Sequence, residues 1–137
     1  MFHFSLINEP SHFRIDTEKI SDILGYIDER VDMPQRGTLN IAFLSDEEIR
    51  KLNHEYRDVD ATTDVLSFHY FDDFSSVKDD EIVGECIFSE SKILAQATEH
   101  GHDAAQEFEI LLIHSVLHIL GYDHETDADY EKMWAVE

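Results

Sequence analysis

The chain has 137 residues, with ten Lys and Arg against 31 Asp and Glu and hydrophobic side chains at 42% of positions. That length and apolar content suit one domain over 1–137 with a single core, and they exclude wholesale disorder. The formal net charge of −21 excludes a general nucleic-acid coat protein, although a metal ion and a few cations can still reverse the potential over one cleft.

Phe2, Phe4 and Leu6 alternate with His3 and Ser5, the period of a half-buried strand, before the turn-like Asn8-Glu9-Pro10-Ser11. From Thr17, read as an N-cap, Ile20, Ile23, Leu24, Ile27 and Val31 recur at helical spacing until Met33-Pro34 stops the helix. Thr38 to Leu44 reads as a second strand. Ser45-Asp46-Glu47-Glu48 is a capping box opening a helix through Ile49, Leu52 and Tyr56 toward Arg57. Val65 to Tyr70 is a third strand, joined by the acidic Phe71 to Asp80 to a fourth over Ile82 to Phe88, with a hairpin as the expected pairing. Ser89 caps a helix through Ile93, Leu94 and Ala97 that ends near Gly101. Glu107 to Leu120 is apolar on nearly every face, which predicts a helix inside the domain, closed by Gly121. Ala128 to Val136 predicts a last short helix docking through Tyr130, Met133 and Trp134.

No run approaches the ~20 apolar residues of a membrane span, and Met1-Phe2-His3-Phe4 lacks a basic region followed by an apolar one. The expected location is the cytoplasm, with no membrane partner. The single Cys86 cannot form an internal disulfide and sits in an apolar run, where an inert buried thiol is expected.

His114 and His118 stand one helical turn apart on one face, close enough for both imidazoles to hold one ion. Gly121 lets the chain fold back, and His124 can then complete a three-histidine site. Neutral imidazoles at ~2.0 to 2.1 Å suit zinc, and three protein ligands leave a fourth position open for catalysis. The spacing matches that of the H-E-x-x-H-x-x-G-x-x-H proteases, but Ser115 stands where they place the glutamate base, which argues against peptide hydrolysis.

The segment His114 to His124 resembles the H-G-x-L-H-L-x-G-Y-D-H signature of the YbeY family, bacterial zinc-dependent endoribonucleases of ribosomal RNA maturation. A second block agrees. Leu52-Asn53, Tyr56-Arg57, Asp60 and Thr63-Asp64-Val65-Leu66-Ser67-Phe68 are similar to that family's L-N-x-x-Y-R-x-x-D-x-P-T-D-V-L-S-F-P, and Val83-Gly84-Glu85 falls where its L-G-D lies. Glu107 also falls where the family often has glutamate. The departures are Thr62 and His69 for two prolines, Ser115 for a glycine, Glu85 for an aspartate, and Ile110 where another histidine is common.

The resemblance implies an α+β, zincin-like fold: a mixed sheet of about four strands packed with helices, with the metal site at the end of a buried helix. It implies one Zn²⁺ per chain on His114, His118 and His124, catalytic roles for His114 and Arg57, and single-strand cleavage in small-subunit rRNA 3′ end processing and ribosome quality control. Bound zinc lowers the pKa of its water and polarises a phosphoryl oxygen, and the attacking group is either that water or the RNA 2′-hydroxyl. Arg57 suits the charge developing on phosphoryl oxygens, although composition alone makes it an ion-pair partner of Asp58, Asp60 or Asp64. Arg50, Lys51 and His54 form a locally basic stretch, so Lys51 and Arg57 are the substrate-binding candidates. Asp64 and Asp123 can orient ligand imidazoles, Ser67 can line the cleft, and Tyr122 and Trp134 can stack on bases or fill the core.

Two rival readings share these residues. One is a metal-dependent hydrolase of another substrate, a peptide or small ester. The other is an acidic ribosome-assembly binding module with a structural zinc, gripping basic ribosomal proteins or assembly factors.

Overall fold

The computed structural model describes residues 1–121; the expected closing helix over Ala128 to Val136, together with His124, lies outside the described residues. The chain runs β1 (His3–Ile7), α1 (Thr17–Arg30), β2 (Thr38–Leu44), α2 (Asp46–Arg57), β3 (Val65–His69), a 3-10 turn (Phe74–Ser76), β4 (Ile82–Ser89), α3 (Glu90–His100) and α4 (Ala104–Ile119). The strands form one mixed sheet in the order β1-β2-β4-β3, with β1, β2 and β4 parallel and β3 antiparallel to β4. The α+β class, the four-strand mixed sheet and the β3–β4 hairpin are therefore as expected. Among the described residues no helix is long and apolar enough to cross a membrane.

Local chemistry sets the element ends. Ser45 and Glu48 form the reciprocal capping box that opens α2, and Gly101 at φ 74° closes α3 in the left-handed region. Two starts differ from the sequence reading. The cap of α1 is Asp16, whose carboxylate accepts from the Glu18 and Lys19 amides, so Thr17 is already helical. The buried helix begins at Ala104 rather than Glu107, because Asp103 and Gln106 make a second capping box three residues earlier.

The period-2 alternation sends the two faces of the sheet to different helices. Leu39, Ile41 and Phe43 of β2 and Cys86 and Phe88 of β4 face the main core with α1, α3 and α4. Phe43, Phe88 and Phe108 meet there with ring centroids 5.0 to 5.5 Å apart. On the opposite face Ala42, Leu66 and Ile87 pack beneath Ile49 of α2. The β2–β4 register slips between Thr38 and Leu39, so Val83 is the extra residue of a bulge and joins the main core. Nine residues of α4 are buried, so this helix runs through the interior, as a sequence apolar on nearly every face requires.

Candidate functional site

His114 and His118 both lie on α4, half-buried, one turn apart, with His118 in the last turn where the helix dipole favours a cation. Gly121 follows at φ 95°, in the left-handed region that glycine reaches without strain. Two imidazoles on one helix face are a donor set that fits a divalent transition ion.

β3 packs against α4. Tyr70 donates its amide to the Val83 carbonyl, and the Ser89 amide donates to Asp64, so the even-numbered residues of this strand bond to β4. The odd-numbered residues Val65, Ser67 and His69 therefore turn their backbone groups to the open edge of the sheet. Arg57, the last residue of α2, donates from Nη2 to the Ser67 carbonyl at 3.2 Å on that edge. The Ser67 side chain points the other way, toward α4, where its Oγ lies 2.7 Å from the Ser115 hydroxyl. A continuous path thus links the Arg57 guanidinium through Ser67 to the residue beside His114.

Arg57 makes no ion pair among the described residues. Asp60, one of the carboxylates expected to hold it, is taken by Arg50 at 2.8 Å, which lowers the Asp60 pKa below its ordinary value through that hydrogen bond and charge. Lys51 is exposed and lies 3.8 Å from Glu47, one turn back on α2. Asp64 is committed to the start of β3, accepting from the Val65 amide at 2.8 Å and from Gln96 at 3.1 Å. Asp123, Tyr122 and Trp134 lie outside the described residues.

Two residues acquire roles the sequence did not announce. A Cβ on Gly84 would sit 2.4 Å from the Phe68 carbonyl oxygen and 3.3 Å from Ile119 Cδ1, so glycine alone lets β3 and the last turn of α4 close together. Ser115 is buried and spans the β3–α4 gap, which explains why a hydroxyl is held at a position where the resemblance expects glycine. Cys86 is fully buried, and that burial pushes its thiol up to about 12 against the opposing Ser115 hydrogen bond, leaving it inert as expected.

The sequence reading missed a second constellation. His100 at the end of α3, His102 in the turn and Glu107 in the first turn of α4 bring ligand atoms within 4.8 Å of one another, a group able to hold a metal ion. Glu107 Oε1 lies 2.9 Å from His100 Nδ1 and 2.5 Å from His102 Nε2. Burial works to raise the Glu107 carboxyl, yet the two imidazoles hold it below its ordinary value, while the same contact raises His100. The available signal was His-Gly-His at a helix stop followed five residues later by Glu.

Comparison with known proteins agrees with the motif reading. Endoribonuclease YbeY of Finegoldia magna is 39% identical over 127 residues, covering 89% of this chain and 80% of that one. The Clostridioides difficile protein of the same name is 38% identical over 118 residues, 85% of this chain and 77% of its own. That of Mycoplasmopsis pulmonis is 40% identical over 129 residues, 93% and 86%. The solution structure of a Thermotoga maritima protein shares the fold, with a TM-score of 0.57 at 24% identity over 98% of this chain and 85% of that chain. The family model described as Endoribonuclease YbeY matches residues 7–137, and the chain belongs to that family.

Proposed function

We propose that this chain is a zinc-dependent endoribonuclease that cuts single-stranded RNA in the cytoplasm, acting in ribosomal RNA maturation at the small-subunit 3′ end and in ribosome quality control. The observation that supports the reading is the Arg57–Ser67–Ser115 path, which connects a guanidinium through β3 to the helix bearing His114 and His118. His114, His118 and His124 are the residues that would hold Zn²⁺, which supplies a Lewis acid able to activate water and polarise a phosphoryl oxygen.

The remaining chemistry belongs to the chain. Arg57 spends one of its N–H donors on the Ser67 carbonyl, which aims the planar fork while its other donors meet the charge growing on the phosphoryl oxygens. His114 and His118 project from a helix whose backbone is held by its buried face. Beside the Arg57 contact, the open edge of β3 offers the backbone groups of Val65 and His69 and the Ser67 amide, along which an extended single strand can lie.

The net charge of −21 supports a basic protein partner, of the ribosomal or assembly-factor kind, that carries the complex to its RNA. The deciding experiment compares wild type with His118→Ala for zinc content and for cleavage of a single-stranded RNA oligonucleotide. The variant is expected to lose one zinc equivalent and the cleavage together. Metal-loaded wild type that spares RNA but turns over a peptide or ester panel would transfer the site to another substrate. Inactivity on all three, with zinc needed for folding, would favour the binding module.

A further inference from the structure

The α3–α4 corner is built around three donors that the proposed RNA-cleaving site does not use. His100 is the last residue of α3, Gly101 caps that helix at φ 74°, and Asp103 caps α4 through the Gln106 amide. The His102 amide also donates to the Ala97 carbonyl, so the turn between the two imidazoles is fixed at both ends before any ligand arrives. Glu107 reaches this turn from inside: its side chain is only 3% exposed, against 52% for His100 and 25% for His102. A buried carboxylate therefore meets two imidazoles that open outward, each offering a different ring nitrogen, and both converge on the same oxygen.

We propose that His100, His102 and Glu107 form a second divalent-cation site, of the two-imidazole, one-carboxylate type that takes Zn²⁺ and similar borderline-soft ions. Three donors at ~2.0 to 2.2 Å from a tetrahedral ion stand about 3.3 Å apart. The present separations of 2.5 and 2.9 Å to Glu107, and under 4.8 Å overall, reach that spacing through small rotations of the two outward-facing rings. The fourth position faces solvent past the half-exposed His100, so an ion from solution has a way in. The acidic surface of the chain raises the local concentration of cations around it. With the ion bound, the carboxylate remains charge-compensated inside the fold and α3 is tied to α4 at the end opposite His118.

The test titrates Zn²⁺ alone into the metal-stripped full chain and reads bound zinc per chain after dialysis. A His118→Ala background removes the histidine-helix site, and His100→Gln is added to it, a change at an exposed helix end that leaves the buried Glu107 in place. The expected result is one equivalent retained by His118→Ala and none by the double variant, with circular dichroism unchanged between them. No zinc on His118→Ala, or the same amount with and without His100→Gln, overturns the proposal. Should His118→Ala fail to fold, wild type against His100→Gln reads the same loss of one equivalent. Failure of the RNA-cleavage reading would leave this outcome untouched, since the readout is stoichiometry at residues that reading does not involve.

Discussion

In the proposed reaction the contact between Arg57 and Ser67 is what aims the guanidinium. Among the described residues the guanidinium is anchored by one hydrogen bond, to a backbone carbonyl, so its position depends on β3. Arg57→Ala is expected to lower RNA cleavage about 10²- to 10³-fold, the loss typical of one positioned transition-state donor, with little change in stability. Arg57→Lys is expected to recover less than about a tenth of the lost rate, because a point charge cannot both hold the Ser67 carbonyl and present a planar fork. A variant rate within threefold of wild type would remove Arg57 from the chemistry. The Ser67–Ser115 pair is read differently, through stability. Ser115→Ala takes the partner from both Ser67 and the Cys86 thiol and should cost about 1 to 2 kcal/mol, whereas Ser67→Ala leaves Ser115 its contact with Cys86 and should cost about 1 kcal/mol or less. In chemical denaturation the double variant should cost less than the sum of the two, by on the order of 1 kcal/mol.

At the level of elements, the fold hangs on a few places where backbones come unusually close or a side chain ties two helices. Gly84→Ala would force β3 or the end of α4 outward, since its new methyl meets a backbone oxygen at 2.4 Å. A cost of about 1 to 3 kcal/mol in urea unfolding is expected, with zinc affinity falling alongside because Ile119 adjoins His118. Asp46 is the second such place. It opens α2 while accepting from Ser89 at 2.5 Å and Ser91 at 2.6 Å, at the start of α3, and from Thr62 at 3.3 Å. Those hydrogen bonds, chiefly from Ser89, hold its pKa below the ordinary 3.8. A carboxyl lowered on folding contributes stability that is complete above its unfolded pKa and disappears as pH falls through the lower folded one. The wild type should therefore lose a share of its stability below about pH 4 that Asp46→Asn does not, and coincident acid limbs in thermal melts would contradict this.

These elements also mark what a sequence can disclose. Thr38 to Leu44, the Ser45 capping box and the Gly101 stop were readable because each is a local pattern whose cause lies within four or five residues. Gly84 and Ser115 were visible only as motif positions, since the contacts that require them come from β3 and α4, far away in the chain. His100 and His102 gave no helical spacing to read, because their partner Glu107 reaches them across a turn between two caps. The α1 cap shifted by one residue because Asp16 and Thr17 are both good caps, and the carboxylate, a charged acceptor beside the helix N-terminus, won.

At the scale of the whole molecule, a net charge of −21 and an RNA substrate pull in opposite directions. Among the described residues several cations are held by local partners rather than left for phosphate: Arg50 pairs with Asp60, Lys51 with Glu47, and Arg30 lies 3.4 Å over the Tyr26 ring beside Glu29. Binding of single-stranded RNA then releases only the counterions displaced at the cleft itself, about one or two, and each contributes a slope near −0.7 in log affinity against log salt. Raising the salt also screens the repulsion between the acidic surface and the polyanion, which flattens the slope further. The dissociation constant of a zinc-loaded, cleavage-deficient Arg57→Lys protein for a short RNA is thus expected to be weak and to change less than about tenfold between 50 and 200 mM salt. Fluorescence anisotropy over that range decides it. A thousandfold weakening would mean that many phosphates are neutralised by a cationic track, and the acidic surface would no longer need a basic partner to bring RNA to the histidine helix.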